Sequence, residues 1–565
     1  MSALAALARW YPWSVDPDED LERAVRFLGI SASPSVVVRA SYGLGVVGAL
    51  VTMLVGLLTP AGTRPVVVVV LASATALAVL GGRSLPTLLA TARRVRALGD
   101  APDLVARAVL RMRLSPSPER AAMFAASAGE GTLAENLADH VRRARAGAPP
   151  ALSSFGEEWR PWFPALARSL TLVDAASEMS ALDRDRTLDR SLAVVLEGTR
   201  TQMQSFAGRL RRPVTALYAF GVLLPTALVA LLPAAHAAGV DITTLTVALV
   251  YNLLLPGLLV AAGCWLLAHR PVTFPPPNVS RTHPDVSDRR LFATVAGAIA
   301  GAGGAVVCWR WFPVWSVPVA VVGFSAGTAL YVVYQPFLEI YDSVRDVEEG
   351  LADALSVVGR RVANGEAVES AIEAAGTELS GDMGDLLAAT ARQQRQLQVS
   401  LREAFLGDAG TLQTIPSRRV RGAVSFLSLA AEEGRPTGPA ILSLADHIDE
   451  LRRVEADARH DLQSVCGTLQ STGTVFGPLV AGSTVALAHA IVGGSMALPG
   501  DGASLPWLGL SIGLYALALA AILPALSTAL VRGFDRALVG TRVGKSLLVA
   551  TVVYLGAYQL VVAIA

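Results

Sequence analysis

"LADALSVVGRRVANGEAVESAIEAAG", residues 351–376, decides how this chain is read. Leu351, Leu355, Val358 and Val362 recur at intervals of four, three and four, which sets them on one face of an α-helix. Asn364 and Gly365 then break the pattern, and a second helical period begins. Burying four such side chains is worth roughly 1.5 to 3 kcal/mol each before conformational entropy is subtracted, enough to seat a helix in a bundle. Yet 53% of the chain is hydrophobic and only 16% charged, against about 25% charged in an ordinary soluble domain. Its mean hydropathy is +0.49. A polar helical bundle is therefore expected within a chain of membrane composition.

Crossing a hydrocarbon core of roughly 30 Å takes about 20 helical residues. Nine apolar runs qualify, near 42–59, 65–82, 214–234, 244–268, 291–312, 314–335, 473–497, 507–530 and 546–564. The expected order is a tail (1–40), a membrane hairpin (41–82), a polar block (83–212), a pair of spans (213–268), a Pro-rich linker (269–290), a second pair (291–335), a second polar block (336–472) and three final spans (473–565). With the amino terminus inside, every basic residue except Arg64 and Arg310 falls on the inner side. Short segments are the better witnesses for orientation. The tail, the linker and the loop 531–545 carry four basic residues each, so the amino terminus is expected in the cytoplasm and the carboxyl terminus outside. Trp309, Trp311, Phe312, Trp315 and Trp507 would then form an outer interfacial belt. The first 30 residues lack the basic and apolar regions of a cleavable signal.

The two polar blocks resemble each other in layout. "AVLRMRLSPSPERAAMFAASAGEGTLAENLADHVRR" from Ala108 lies beside "VVGRRVANGEAVESAIEAAGTELSGDMGDLLAATARQ" from Val357. In each, a turn precedes an apolar-periodic helix, a Gly-containing turn follows and another helix begins. The opening stretch is thus expected to be one copy of a divergent internal repeat, all-α and cytoplasmic. Ile441, Leu444, Ile448 and Leu451 repeat the helical stripe, and Asp449 with Arg453 and Glu455 with Arg459 are supporting pairs four residues apart. No proline lies between Pro439 and Pro478, so one helix is expected to run from about 440 into the seventh span. A second starts near 184, with a kink expected at Pro213.

Catalytic patterns are lacking. "GAIAGAGG", 297–304, lies within a span and lacks the Lys-Ser/Thr of a phosphate-binding loop. Gly297 and Gly301 instead suit close helix packing, as do Gly43, Gly45 and Gly48. The seven histidines show no HxxxH spacing, and Cys264, Cys308 and Cys466 form no CxxC pair. Those thiols are expected to be buried and inert. The spans hold almost no ionisable side chain, His489 excepted, which counts against ion-coupled transport. The sequon Asn278-Val279-Ser280 falls in the linker placed inside. No catalytic residue, cofactor, metal or nucleic-acid partner is expected.

Duplicated blocks with spans behind them, together with Glu432, Glu433, Gly434 and Gly438 in "AAEEGRPTG", resemble the secretion-system F family in its archaeal or Tad-like branch. These are the inner-membrane platforms of type IV pili, archaella and type II secretion machines. The first block keeps Glu178 in "ASEMSALD" without either glycine. The resemblance implies a non-enzymatic scaffold that recruits a cytoplasmic hexameric secretion ATPase and passes its motion to pilin-like subunits, with the duplicated domain as a docking and force-transmitting surface that a homodimer could present. It points to Glu432, Glu433, Gly434, Gly438 and Glu178 as partner-contact candidates. Arg418, Arg419 and Arg421, just ahead of that turn, suit an acidic partner surface. Arg532, Arg536, Arg542 and Lys545 suit an orientation signal or anionic membrane lipids. The alternative is a polytopic transporter with regulatory cytoplasmic domains.

Overall fold

The computed structural model describes residues 7–13, 15–30, 33–59, 64–129, 131–147, 149–237, 244–270, 289–433, 437–493 and 504–564. Regular structure among them is entirely helical. Nine helices among the described residues are long and apolar enough to cross a bilayer, and the chain is a multi-pass membrane protein. Most of the Pro-rich linker, with Asn278, lies outside the described residues, as does Gly434.

A short helix α1 (Glu19–Leu28) precedes the hairpin of α2 (Pro34–Leu58) and α3 (Arg64–Leu98). Then come five shorter helices, α4 (Ala101–Leu114), α5 (Pro118–Ser127), α6 (Thr132–Arg145), α7 (Ala151–Trp159) and α8 (Pro164–Ala175). A long α9 (Ala181–Tyr218) continues through a π-turn into α10 (Leu224–Ala237), and α11 (Thr244–Leu249) continues likewise into α12 (Leu255–Ala268). After α13 (Arg290–Trp311), α14 (Ser316–Ala363) runs out of the membrane region to α15 (Val368–Glu378), α16 (Asp382–Leu397), α17 (Leu401–Leu406) and α18 (Arg418–Glu433). The second rod, α19 (Gly438–Ser471), passes through a π-turn into α20 (Gly477–Gly493), and α21 (Ser504–Arg532) and α22 (Arg536–Ile564) follow.

Each expected span falls on one of these helices, but several helices outlast the apolar run. α3 continues to Leu98 and α14 to Ala363. Charged residues end a hydropathy window without ending a helix, because straight-chain charged side chains have good helix propensity. Pro213 lies within α9 and Pro336 within α14.

The three π-turns have one cause. Residues 219–223, 250–254 and 472–476 each end two positions before a proline, at Pro225, Pro256 and Pro478. Proline cannot donate to the carbonyl four residues back and its ring crowds that carbonyl. One wider turn relieves the crowding and leaves carbonyls to be satisfied from outside the helix. Tyr515 Oη donates to the Gly221 carbonyl, four residues before Pro225, and Tyr251 Oη donates to the Pro225 carbonyl at 2.7 Å. These tyrosines belong to the membrane core that unites α9, α10, α12, α14 and α19 to α22. Gly297 and Gly301 are buried where α13 lies on α14, and a Cβ on Gly297 would sit 2.7 Å from the Ser325 carbonyl oxygen.

Outside the spans two apolar cores form. The first gathers Leu104, Val109, Leu133, Phe155, Leu170 and Leu188 from α4 to α9. The second gathers Leu351, Leu355, Val358 and Val362 with Phe405, Phe426, Ile441, Leu444 and Ile448, so the stripe read from residues 351–376 faces a core. Leu110 and Leu114 of α4 belong to that second core. The first polar block thus contributes to the second core, and the two pack against each other. Arg200 on α9 reaches Asp457 on α19 at 3.2 Å.

One expectation fails. Cys308 and Cys466 are buried, but Cys264 is exposed. It lies on α12, few of whose residues are covered by neighbouring helices. In a bilayer that outward side meets lipid rather than protein.

Candidate functional site

A cleft of about 610 Å³ lies where the two bundles meet the ends of the spans. Its walls come from the start of α4 (Asp100, Asp103), the middle of α14 (Asp342, Arg345, Glu348), the start of α18 (Arg418, Arg419), the midsection of α19 (Arg452, Glu455, Arg459) and the end of α21 (Arg532).

Arg419 is its organising group. It bonds to Glu455 at 2.6 Å and approaches Glu348 at 3.7 Å. Glu455 is nearly buried, its side chain 8% exposed, and also pairs with Arg459. Ser417, itself buried, donates to Glu348 at 2.5 Å and accepts from the Val420 N–H at 3.2 Å, thereby capping the start of α18. Burial opposes the charge on Arg419, but Glu455, Glu348 and Asp103 outweigh it and hold the guanidinium above its ordinary value. A cation at this depth is tolerated only with such compensation. The network joins α14, α18 and α19, and so ties the two helices that run from the second bundle into the membrane.

Two further polar contacts hold the ends of the spans. Tyr341 on α14 donates to Asp535 at 2.7 Å, while the same carboxylate caps α22 by accepting from the Ala537 and Leu538 N–H groups. Arg270, buried just past α12, donates to the Leu530 carbonyl at 2.6 Å and the Val531 carbonyl at 3.2 Å. It thereby satisfies carbonyls at the end of α21, a favourable place for a cation. Burial, reinforced by Arg459 and opposed by Cys466, lowers its pKa to about 10.

His447, buried on α19, is an imidazole of which neither ring nitrogen has a hydrogen-bond partner among the described residues. Burial pushes its pKa down to about 4, with Asp103 opposing and Arg419 reinforcing the shift. It also lines a smaller cavity of about 390 Å³ between α9 and α19, with Asp189, Glu197 and Arg200 on the facing rod.

The residues singled out from sequence separate into distinct places. Arg418 and Arg419 line the cleft; Arg421 does not, though it is exposed on the same helix. Glu432 is exposed at the far end of α18, where Glu433 is the last residue. Gly438 is buried as the first residue of α19, where a Cβ would lie 2.4 Å from the Ala363 backbone nitrogen at the end of α14. Its position is set by that crossing. Glu178 is exposed in the short turn before α9, and with Glu119 it reinforces the upward shift that burial imposes on Asp174. Glu178 lies in the turn before α9, and Glu432 in the last turn of the helix that precedes α19.

Sequence reading missed Glu348 and took Glu455 only as half of a supporting pair with Arg459 four residues on. A signal for both was present. Glu348 falls in the series 344, 348, 351, 355, 358, 362, and Glu455 in the series 441, 444, 448, 451, 455. Each is a carboxylate on an otherwise apolar stripe, and such a residue is buried only with a partner. Among the described residues no group of three or more His, Cys, Asp or Glu is arranged to hold a metal. No protein-family model matches the chain, and neither a curated protein nor a solved structure matches it.

Proposed function

We propose that this protein is an integral-membrane platform for assembling pilus-like filaments or for type II-like secretion, coupling a cytoplasmic secretion ATPase to pilin-like subunits. The observation that carries this reading is the pair of rods. From Ala181 to Ala237, and again from Gly438 to Gly493, a helix rooted in a polar bundle continues into a membrane span with only a π-turn between them. A continuous helix transmits displacement along its axis at about 1.5 Å per residue, so movement of a bundle reaches the bilayer undiluted by a loop.

The bundles as repeats are part of the same proposal. Both show a helix, a turn, a helix of ten or eleven residues, a helix of fourteen or sixteen, a short helix, a longer one and then the rod. Gly131 and Gly381, with φ of 95° and 88°, precede the third helix in each. The arginine distribution favours the cytoplasm for both bundles. The surfaces near Glu432 and Glu178 are the places where a partner would gain leverage on the rods.

Affinity capture of the tagged protein from native membranes tests the reading. Recovery of a secretion ATPase and pilin-like subunits, both lost on deleting 336–472, is the expected result. Filaments persisting in a deletion strain that has no second platform gene would sink it.

A further inference from the structure

We propose that the membrane end of the cleft is a phosphate-binding site, filled by the headgroup phosphate of an anionic lipid or by a free phosphate of the same chemistry. Arg345 of α14, Arg459 of α19 and Arg532 of α21 line one cavity. Arg542 of α22 is outside that lining, but its charge, with those of Arg459 and Arg345, bears on Arg532, and Asp342 is the carboxylate acting the other way. Four helices thus converge four guanidinium groups.

The acids of the cleft leave Arg532 and Arg542 unserved. Glu455 is shared by Arg419 and Arg459, Glu348 serves Arg419, Glu349 serves Arg345 at 2.8 Å, and Asp535 is taken by Tyr341 and the cap of α22. Arg532 and Arg542 are exposed, and among the described residues neither has a hydrogen bond or ion pair. Arg345 and Arg459 have carboxylate partners, but Arg532 and Arg542 have none among the described residues, and an anion offering several acceptor oxygens relieves the repulsion that the neighbouring guanidiniums impose on Arg532. Guanidinium suits phosphate because its planar fork donates two parallel hydrogen bonds.

The place narrows the chemistry further. Arg532 ends one span and α22 opens the next, so the site sits at headgroup level. Phe534, 68% exposed, lies between them and has an apolar ring to offer the acyl boundary. A lipid phosphate seated here would join α14, α19, α21 and α22 at the height where the second bundle meets the bilayer. Its effect on rod movement rests on the platform reading; the site itself does not.

The test uses the full-length protein in detergent and in nanodiscs. Native mass spectrometry should show one phosphatidylglycerol retained per protomer in preference to phosphatidylcholine, and thermal unfolding in neutral detergent should shift upward with added phosphatidylglycerol or inorganic phosphate. Phosphatidylglycerol acting alone identifies the lipid as the source, and inorganic phosphate acting equally well identifies the free anion. Arg532→Gln/Arg542→Gln should weaken retention by roughly 25-fold, about fivefold for each guanidinium removed. Arg345→Gln should weaken it from the opposite wall, whereas Arg536→Gln, on α22 like Arg542 but with no charge effect on Arg532, should leave it unchanged. Wild-type protein indifferent to headgroup and phosphate, or Arg536→Gln as damaging as the double variant, overturns the proposal. Neither readout involves an ATPase or a filament, so failure here is separable from failure of the platform reading.

Discussion

Arg419 and Glu455 face each other across 2.6 Å at the crossing of α18 and α19, with the glutamate side chain all but removed from solvent. Removing Arg419 leaves the buried Glu455 with Arg459 as its remaining partner, at a cost of up to about 3 kcal/mol, the low end for breaking a buried pair. Arg419→Ala should therefore lower the unfolding temperature sharply, and Arg419→Ala/Glu455→Gln should recover part of the loss. Thermal unfolding in detergent measures both, and a single variant as stable as the wild type would show that the pair carries little.

His447 makes stability depend on pH. The ordinary imidazole pKa is 6.5 and the folded value is about 4, so between these the unfolded chain binds more protons. Stability attributable to the neutral ring is complete above about pH 6.5 and is lost as pH falls through the interval, by on the order of 3 kcal/mol at the acid end. His447→Leu should abolish this part of the slope while leaving the unfolding temperature at pH 7.5 unchanged or raised. An identical slope in the variant would assign the pH effect to other groups.

Tyr515 and Pro225 form a compensating pair inside the membrane core. Tyr515→Phe deprives the Gly221 carbonyl of its donor, and an interhelical hydrogen bond of this kind is worth about 0.6 to 2 kcal/mol. In a Pro225→Ala background the restored N–H can serve that carbonyl, so the penalty of Tyr515→Phe should shrink. A double-mutant cycle of unfolding temperatures reads the coupling, and strictly additive effects would refute the link between the π-turn and the tyrosine.

The packing of the bundles predicts topology. Cysteines introduced at Glu135 in α6 and Gln394 in α16, both away from the spans, should react with a membrane-impermeant maleimide from the same side of the membrane. Labelling from opposite sides would contradict the shared second core in which Leu110 and Leu114 meet Ile441 and Leu444. Reaction only after the membrane is opened places both bundles in the cytoplasm, as the arginine distribution anticipates.

Much of the architecture was readable because it rests on local periodicity. The stripe from Leu351 to Val362, the stripe from Ile441 to Leu451 and the proline-free stretch after Pro439 each specify a helix and its buried face. The π-turns were not anticipated, although prolines at 225, 256 and 478 were in view. A proline announces a disturbance of the ladder, while the choice among a kink, a break and a widened turn depends on whether a neighbour such as Tyr515 can serve the freed carbonyl.

The amino-acid order alone determined the helical class, the positions of the spans and the inward faces of the bundle helices, since each depends on spacing within a single element. Only the tertiary structure decided that Glu348, Arg419 and Glu455 share one buried network, that Gly438 presses on Ala363, and that Arg345, Arg459, Arg532 and Arg542 converge. Those groups come from separate helices, and the energy of a charge depends on which other charges stand within a few ångströms and how little water lies between them.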